Sequence, residues 1–94
     1  KDKLVMVMIS KEGCDACWYM DNITLKDKKV DAFLSKNYVS LHLDIYEDEI
    51  PSDLGYTGTP TFYFLSKKGE IVEQVVGAKN IKDFTELLKR VQEE

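Results

Sequence analysis

The sequence predicts an α/β fold of order β-α-β-β-β-α, a four-stranded mixed sheet covered by helices on both faces. Three observations carry this. An unbroken apolar run, Leu4-Val5-Met6-Val7-Met8-Ile9, reads as a strand buried on both sides. Tyr38 to Ile45 alternates, with Val39, Leu41, Leu43 and Ile45 on one side and Tyr38, Ser40, His42 and Asp44 on the other. Between and after these strands lie stretches of helical period, the last with Ile81, Phe84, Leu87, Leu88 and Val91 on one stripe.

Taken in order, the first strand is interior to the sheet, and Ser10-Lys11-Glu12-Gly13 turns the chain. A helix opens near Cys14 or Asp15, where an acidic first turn is favourable, and Met20 and Ile23 continue its buried side. The pattern falters at Asn22-Ile23-Thr24. Thr24 followed by Asp27 resembles a helix start, so two helices are expected, about 14–23 and 25–36, the second burying Val30, Phe33 and Leu34. The alternating strand is expected at the sheet edge with its Tyr38-to-Asp44 side the wetter one, parallel to the first through a right-handed crossover.

An acidic connection through Glu47-Asp48-Glu49 comes next, with a single helical turn expected near Pro51 to Leu54. Thr59-Pro60 leads into a third, aromatic strand, Thr61 to Leu65. Ser66-Lys67-Lys68-Gly69 makes a hairpin turn to a fourth strand, Glu70 to Val76, which Gly77 ends. Asn80 caps the final helix. The spatial order expected is second, first, third, fourth.

The 94 residues suit one small domain, 1–94, with one core. A net charge of −4 argues against nucleic acid or an anionic membrane surface as the main partner. No apolar run approaches the length of a membrane span, so no membrane insertion is expected. The chain begins at Lys1 without an initiator Met, which fits a removed signal peptide or a trimmed chain.

Chemistry centres on Gly13-Cys14-Asp15-Ala16-Cys17, which holds both cysteines. Two cysteines this close cannot staple distant parts of a chain, and oxidised they close a tiny loop suited to a working disulfide. Backbone N–H groups at a helix mouth stabilise a thiolate, the nucleophile of disulfide exchange. The second sulfur is then placed to attack whatever disulfide the first one forms. The competing readings are half of a structural zinc site and two unreactive core thiols. Zinc needs about four ligands, whereas the chain has two Cys and one His, and His42 sits mid-strand, away from the pair. No metal site is therefore expected, and His42 is read as a solvated strand residue. Trp18 and Tyr19 either flank the pair and touch substrates or cover the helix's outer edge.

With these residues in place, the chain resembles the thioredoxin superfamily over essentially its whole length. The resemblance rests on Cys14-Asp15-Ala16-Cys17 after the first strand, Gly58-Thr59-Pro60-Thr61 before the third, Asp44 ending the second, and Gly77 before the last helix. Cys14-x-x-Cys17-x-x-Met20 followed by a broken helix is similar to thioredoxin-related proteins of bacterial envelopes more than to cytoplasmic thioredoxin.

The resemblance implies a thiol–disulfide oxidoreductase acting on protein disulfides. Cys14 would be the exposed attacking thiolate and Cys17 the buried resolving thiol. Pro60 would match the family's cis-proline, and the backbone of Thr59 would pair with an extended substrate segment. Trp18 joins Thr59 and Pro60 as an expected substrate contact. No cofactor beyond the Cys14–Cys17 disulfide is expected. The expected partners are protein thiols and disulfides and an upstream reducing dithiol protein, with the chain a monomer in the periplasm or cell envelope, or alternatively the cytoplasm. The alternative is a thioredoxin-like module that binds a partner or metal without turnover.

Two departures from cytoplasmic thioredoxin bear on direction. Met8 stands where that family has a buried carboxylate, and Asp15-Ala16 replaces Gly-Pro between the cysteines. A negative Asp15 beside Cys14 opposes the helix dipole and disfavours its thiolate. A less stable reduced form means a lower potential, and hence a reducing or isomerising role.

Overall fold

The computed structural model describes residues 3–93. Strands β1 (Leu4–Ser10), β2 (Tyr38–Asp44), β3 (Thr61–Leu65) and β4 (Ile71–Val76) form one sheet in the order β2-β1-β3-β4. β1 runs parallel to β2 and antiparallel to β3, and β3 runs antiparallel to β4. Helices α1 (Asp15–Tyr19), α2 (Lys28–Asn37) and α3 (Ile81–Gln92) complete the fold. Strand order and sheet sense are those expected, because a strand without polar alternation is satisfied only between two neighbours under cover.

The helices, however, all pack on one face. Cys17, Met20, Val30, Leu34, Phe84 and Leu88 share one core cluster with Met6, Met8, Phe62 and Phe64 of the central strands. The opposite face carries Val7, Ile9 and Tyr63 and is covered by Leu54 and Ile50 of the β2–β3 connection rather than by a helix. Cover on both faces by helices is thus corrected. The connection closes on itself through a turn, Leu54 N–H donating to Pro51 O at 2.9 Å, which buries Leu54 without a helix.

Burial along β2 departs from the alternation at its first residues, while Ser40 and His42 are exposed as expected and Leu43 and Ile45 pack partly against the second cluster. Tyr38 is buried under α2 and α3, its hydroxyl donating to Leu88 O at 2.8 Å, whereas Val39 is 53% and Leu41 49% exposed. Alternation reports which residues share a face; it does not report which face the helices choose.

The expected break between the first two helices is a π-helical turn, Met20–Thr24, closed by Leu25 N–H donating to Met20 O at 2.8 Å. One extra residue in the turn shifts the phase of the residues beyond it. Met20 and Thr24 both point inward, and Ile23, expected to be buried, turns out to solvent. Thr24 does not start α2. Asp27 is the cap, its Oδ2 accepting from Lys29 and Val30 N–H at 3.1 Å each. Thr24 instead donates to Lys79 O at 2.7 Å, while Lys79 N–H donates to Met20 Sδ at 3.3 Å. These contacts tie the π-helical turn to the β4–α3 connection. Asn80 caps α3 as expected, and Ile81 lies largely outside the stripe that Phe84, Leu87, Leu88 and Val91 bury.

Candidate active site at the Cys14–Cys17 pair

β1 delivers the chain to Ser10, and Gly13, at φ +80°, makes the bend that an L side chain would resist. Cys14 then takes an extended conformation at the N-cap of α1. In that position its Sγ accepts from Cys17 N–H at 3.1 Å, while Trp18 N–H reaches Cys14 O at 3.0 Å. The two sulfurs form a disulfide, with Cα atoms 5.2 Å apart. The sulfurs differ in access. Cys14 is half-buried, whereas Cys17 is 4% exposed and belongs to the main core cluster.

The segment before β3 closes over Cys14. Thr59 Oγ1 donates to Cys14 Sγ at 3.3 Å, and Thr59 O lies 3.6 Å from the same sulfur. The Thr59–Pro60 peptide is cis, Pro60 is buried, and Pro60 O accepts from Gly77 N–H at 2.8 Å. Thr61, also buried, donates to Gly58 O at 2.6 Å. Thr59 and Cys14, 45 residues apart in sequence, therefore meet at one sulfur. Cys14 in its thiolate form would have two donors, the Cys17 amide and the Thr59 hydroxyl, which is an arrangement suited to holding negative charge on sulfur.

Trp18 is 61% exposed beside the pair, on the wall of a cavity of about 670 Å³ that Cys14 and Cys17 also line. Tyr19 is half-buried against the core instead. The cavity brings in two residues that nothing in the sequence pattern associates with the cysteines. Ser10, at the end of β1, is buried, and its Oγ lies 2.6 Å from His42 Nε2. His42 is an exposed strand residue, as expected, and is in addition tied to a buried hydroxyl on the cavity wall. Parallel register sets Met8 against His42 and Ser10 against Asp44, so that Ser10 and His42 meet diagonally across one face. Among the described residues, no group of three or more His, Cys, Asp and Glu is placed to hold a metal ion. Nor is any helix of the described residues long and apolar enough to cross a membrane.

A dithiol–disulfide pair at the mouth of a helix, on a four-stranded mixed sheet and beside a Thr-Pro segment, defines a class of α/β redox domains. The chain belongs to the thioredoxin-like domain family, whose model matches residues 1–92. Among solved structures it is similar to a thioredoxin from Thermus thermophilus, with 28% identity over 95% of this chain and 73% of that one and a TM-score of 0.76. It is also similar to the periplasmic thioredoxin SoxS from Paracoccus pantotrophus, with 22% identity, 98% and 100% coverage and a TM-score of 0.71. The C-terminal domain of DsbD from Neisseria meningitidis matches with 19% identity, 95% and 81% coverage and a TM-score of 0.75. At these identities the last two show a shared fold. A comparison with curated proteins finds no match.

Proposed function

We propose that the chain is a protein thiol–disulfide oxidoreductase working in the reducing or isomerising direction in a bacterial envelope. The observation that carries this is the asymmetry of the pair, a half-buried Cys14 with two donors on its sulfur beside a buried Cys17. In the reductive cycle, the Cys14 thiolate attacks one sulfur of a substrate disulfide and expels the other, which takes up a proton. Cys17 then loses its proton and attacks Cys14 Sγ, forming the Cys14–Cys17 disulfide and releasing the second substrate thiol. The substrate disulfide gains two electrons and two protons, and the protein's dithiol supplies them. An upstream dithiol protein restores the reduced pair, so no further cofactor is required.

Thr59 contacts the reacting sulfur, and its backbone, just ahead of Pro60, can pair with an extended substrate strand. Exposed Trp18 offers an aromatic surface to the same substrate. Asp15 in the first turn of α1 works against a strongly stabilised thiolate and so favours reduction over oxidation. The envelope assignment is supported by the Cys14-x-x-Cys17-x-x-Met20 pattern and by the likeness to the periplasmic SoxS.

The decisive experiment uses Cys17→Ala, which leaves Cys14 able to attack and unable to be released. Expressed with a secretion signal, the variant is expected to accumulate mixed disulfides with several envelope proteins, dissolved by reductant. A variant that traps nothing, and whose Cys14 reacts with a small disulfide no faster than an unstructured peptide thiol, would instead indicate a binding module without turnover.

A further inference from the structure

The resolving step raises a proton problem that the cysteines alone do not solve. Cys17 must lose a proton before it attacks the mixed disulfide and regain one when the pair is reduced. A buried thiolate is disfavoured, and on the central strands β1 and β3 the core cluster around Cys17 offers only Met6, Met8, Phe62 and Phe64, none of which titrates. The cavity wall provides the alternative. Ser10 Oγ lies 2.6 Å from His42 Nε2, and His42 Nδ1 lies 3.9 Å from Asp21 Oδ1. Ser10, His42, Asp21 and Cys17 all line the same cavity, which is large enough for water to complete a path between them.

We propose that Ser10 and His42 are the proton relay of Cys17, an inference that rests on the Cys14–Cys17 pair being an exchange centre. In the resolving direction the Cys17 proton passes through water in the shared cavity to Ser10 Oγ as the Ser10 hydroxyl proton passes to His42 Nε2. The Cys17 thiolate attacks Cys14 Sγ, the bond from Cys14 to the substrate sulfur breaks, and that sulfur leaves with the electron pair. The imidazolium formed on His42 faces the Asp21 carboxylate, Nδ1 lying 3.9 Å from Oδ1. When a dithiol reduces the pair, the same path returns the proton to the departing Cys17 sulfur.

The setting of His42 suits a transient positive charge. Asp21 faces it from the π-helical turn and Asp44 from its own strand face, and Asp31 of α2 lines the hollow on its other side. Across the cavity stand Glu12, Glu47 and Asp48, with Lys11 the cation on that wall. Ser10 comes from β1 and His42 from β2, and Met8, opposite His42 in the register, adds no titratable group between them.

The test separates the two half-steps. Pre-reduced protein in excess is mixed with 5,5′-dithiobis(2-nitrobenzoate), whose coloured thiolate is released once when Cys14 attacks and again when Cys17 resolves. The second release is unimolecular and so independent of concentration. His42→Gln and Ser10→Ala are each expected to slow the second release at neutral pH by about tenfold or more, within the range a general base contributes. They are also expected to abolish its pH-dependent step while leaving the first release within about twofold. Ser10→Ala carries the test by itself should His42→Gln fail to fold. A second release whose rate and pH profile match the parent's within about twofold in a folded variant overturns the relay and leaves the exchange reading standing. A parent that shows no second release overturns the exchange reading, and the relay with it.

Discussion

Replacing Thr59 by valine removes the hydroxyl that donates to Cys14 Sγ at 3.3 Å while keeping the branched shape of the side chain. A hydrogen bond to a charged group contributes about 1.5–3 kcal/mol. The low end applies here, because Cys14 is only half-buried and its thiolate retains the Cys17 amide at 3.1 Å. About 1.4 kcal/mol corresponds to an upward shift of about one unit in the titration of Cys14. Below the titration midpoint the thiolate fraction then falls about tenfold, while intrinsic nucleophilicity rises about threefold on a Brønsted slope of about 0.4–0.5. The net effect is alkylation about threefold slower below the titration midpoint and about threefold faster well above it, so the two pH profiles cross. Iodoacetamide alkylation of the pre-reduced protein, with the modified residue located by mass spectrometry, reads both arms. Thr59→Ser is expected to follow the parent. Coincident midpoints for Thr59→Val and the parent would refute the role of the hydroxyl and leave the amide as the thiolate's donor.

The remaining predictions concern direction and the scaffold. Equilibration with glutathione buffers is expected to give a potential at or below about −200 mV, moving upward in Asp15→Asn, whereas a value near about −120 mV, that of a strong dithiol oxidant, would exclude the reducing direction. Met20→Ala empties a fully buried position and removes the sulfur that accepts from Lys79 N–H, and is expected to cost about 2–5 kcal/mol in urea unfolding. Thr24→Val leaves Lys79 O without its donor and is expected to cost about 1–3 kcal/mol in the same assay. Losses below about 1 kcal/mol in both variants would mean that the β4–α3 connection is not held to the π-helical turn by these contacts.

Local chemistry made the elements near the site readable. Leu4 to Ile9 read as an interior strand and Asn80 as a helix cap, while the meeting of Cys14-x-x-Cys17 with Thr59-Pro60 was implied by the resemblance to the thioredoxin superfamily. The first helix was less readable because a π-helical turn is selected by the groups it must reach. Met20 and Thr24 turn inward toward Lys79, 59 and 55 residues away, and nothing in the local pattern announces that demand. Thr24 offered a helix-start signal and was drawn instead into a buried hydrogen bond, leaving Asp27 to cap α2.

The sequence by itself determined the strand order and the place of the cysteines at a helix mouth, because periodicity, turn residues and caps act over a few positions, while the segment that closes over them was implied by the resemblance to the thioredoxin superfamily. Only the tertiary structure decided that all three helices share one face, that Tyr38 rather than Val39 is buried, and that His42 meets Ser10 beside Cys17. Those outcomes depend on the register between β1 and β2 and on which face the helices cover, and both are settled by packing between residues some thirty positions apart. Short-range patterns carry no information at that distance, so the meeting of Ser10 and His42 became visible only once the strands were paired.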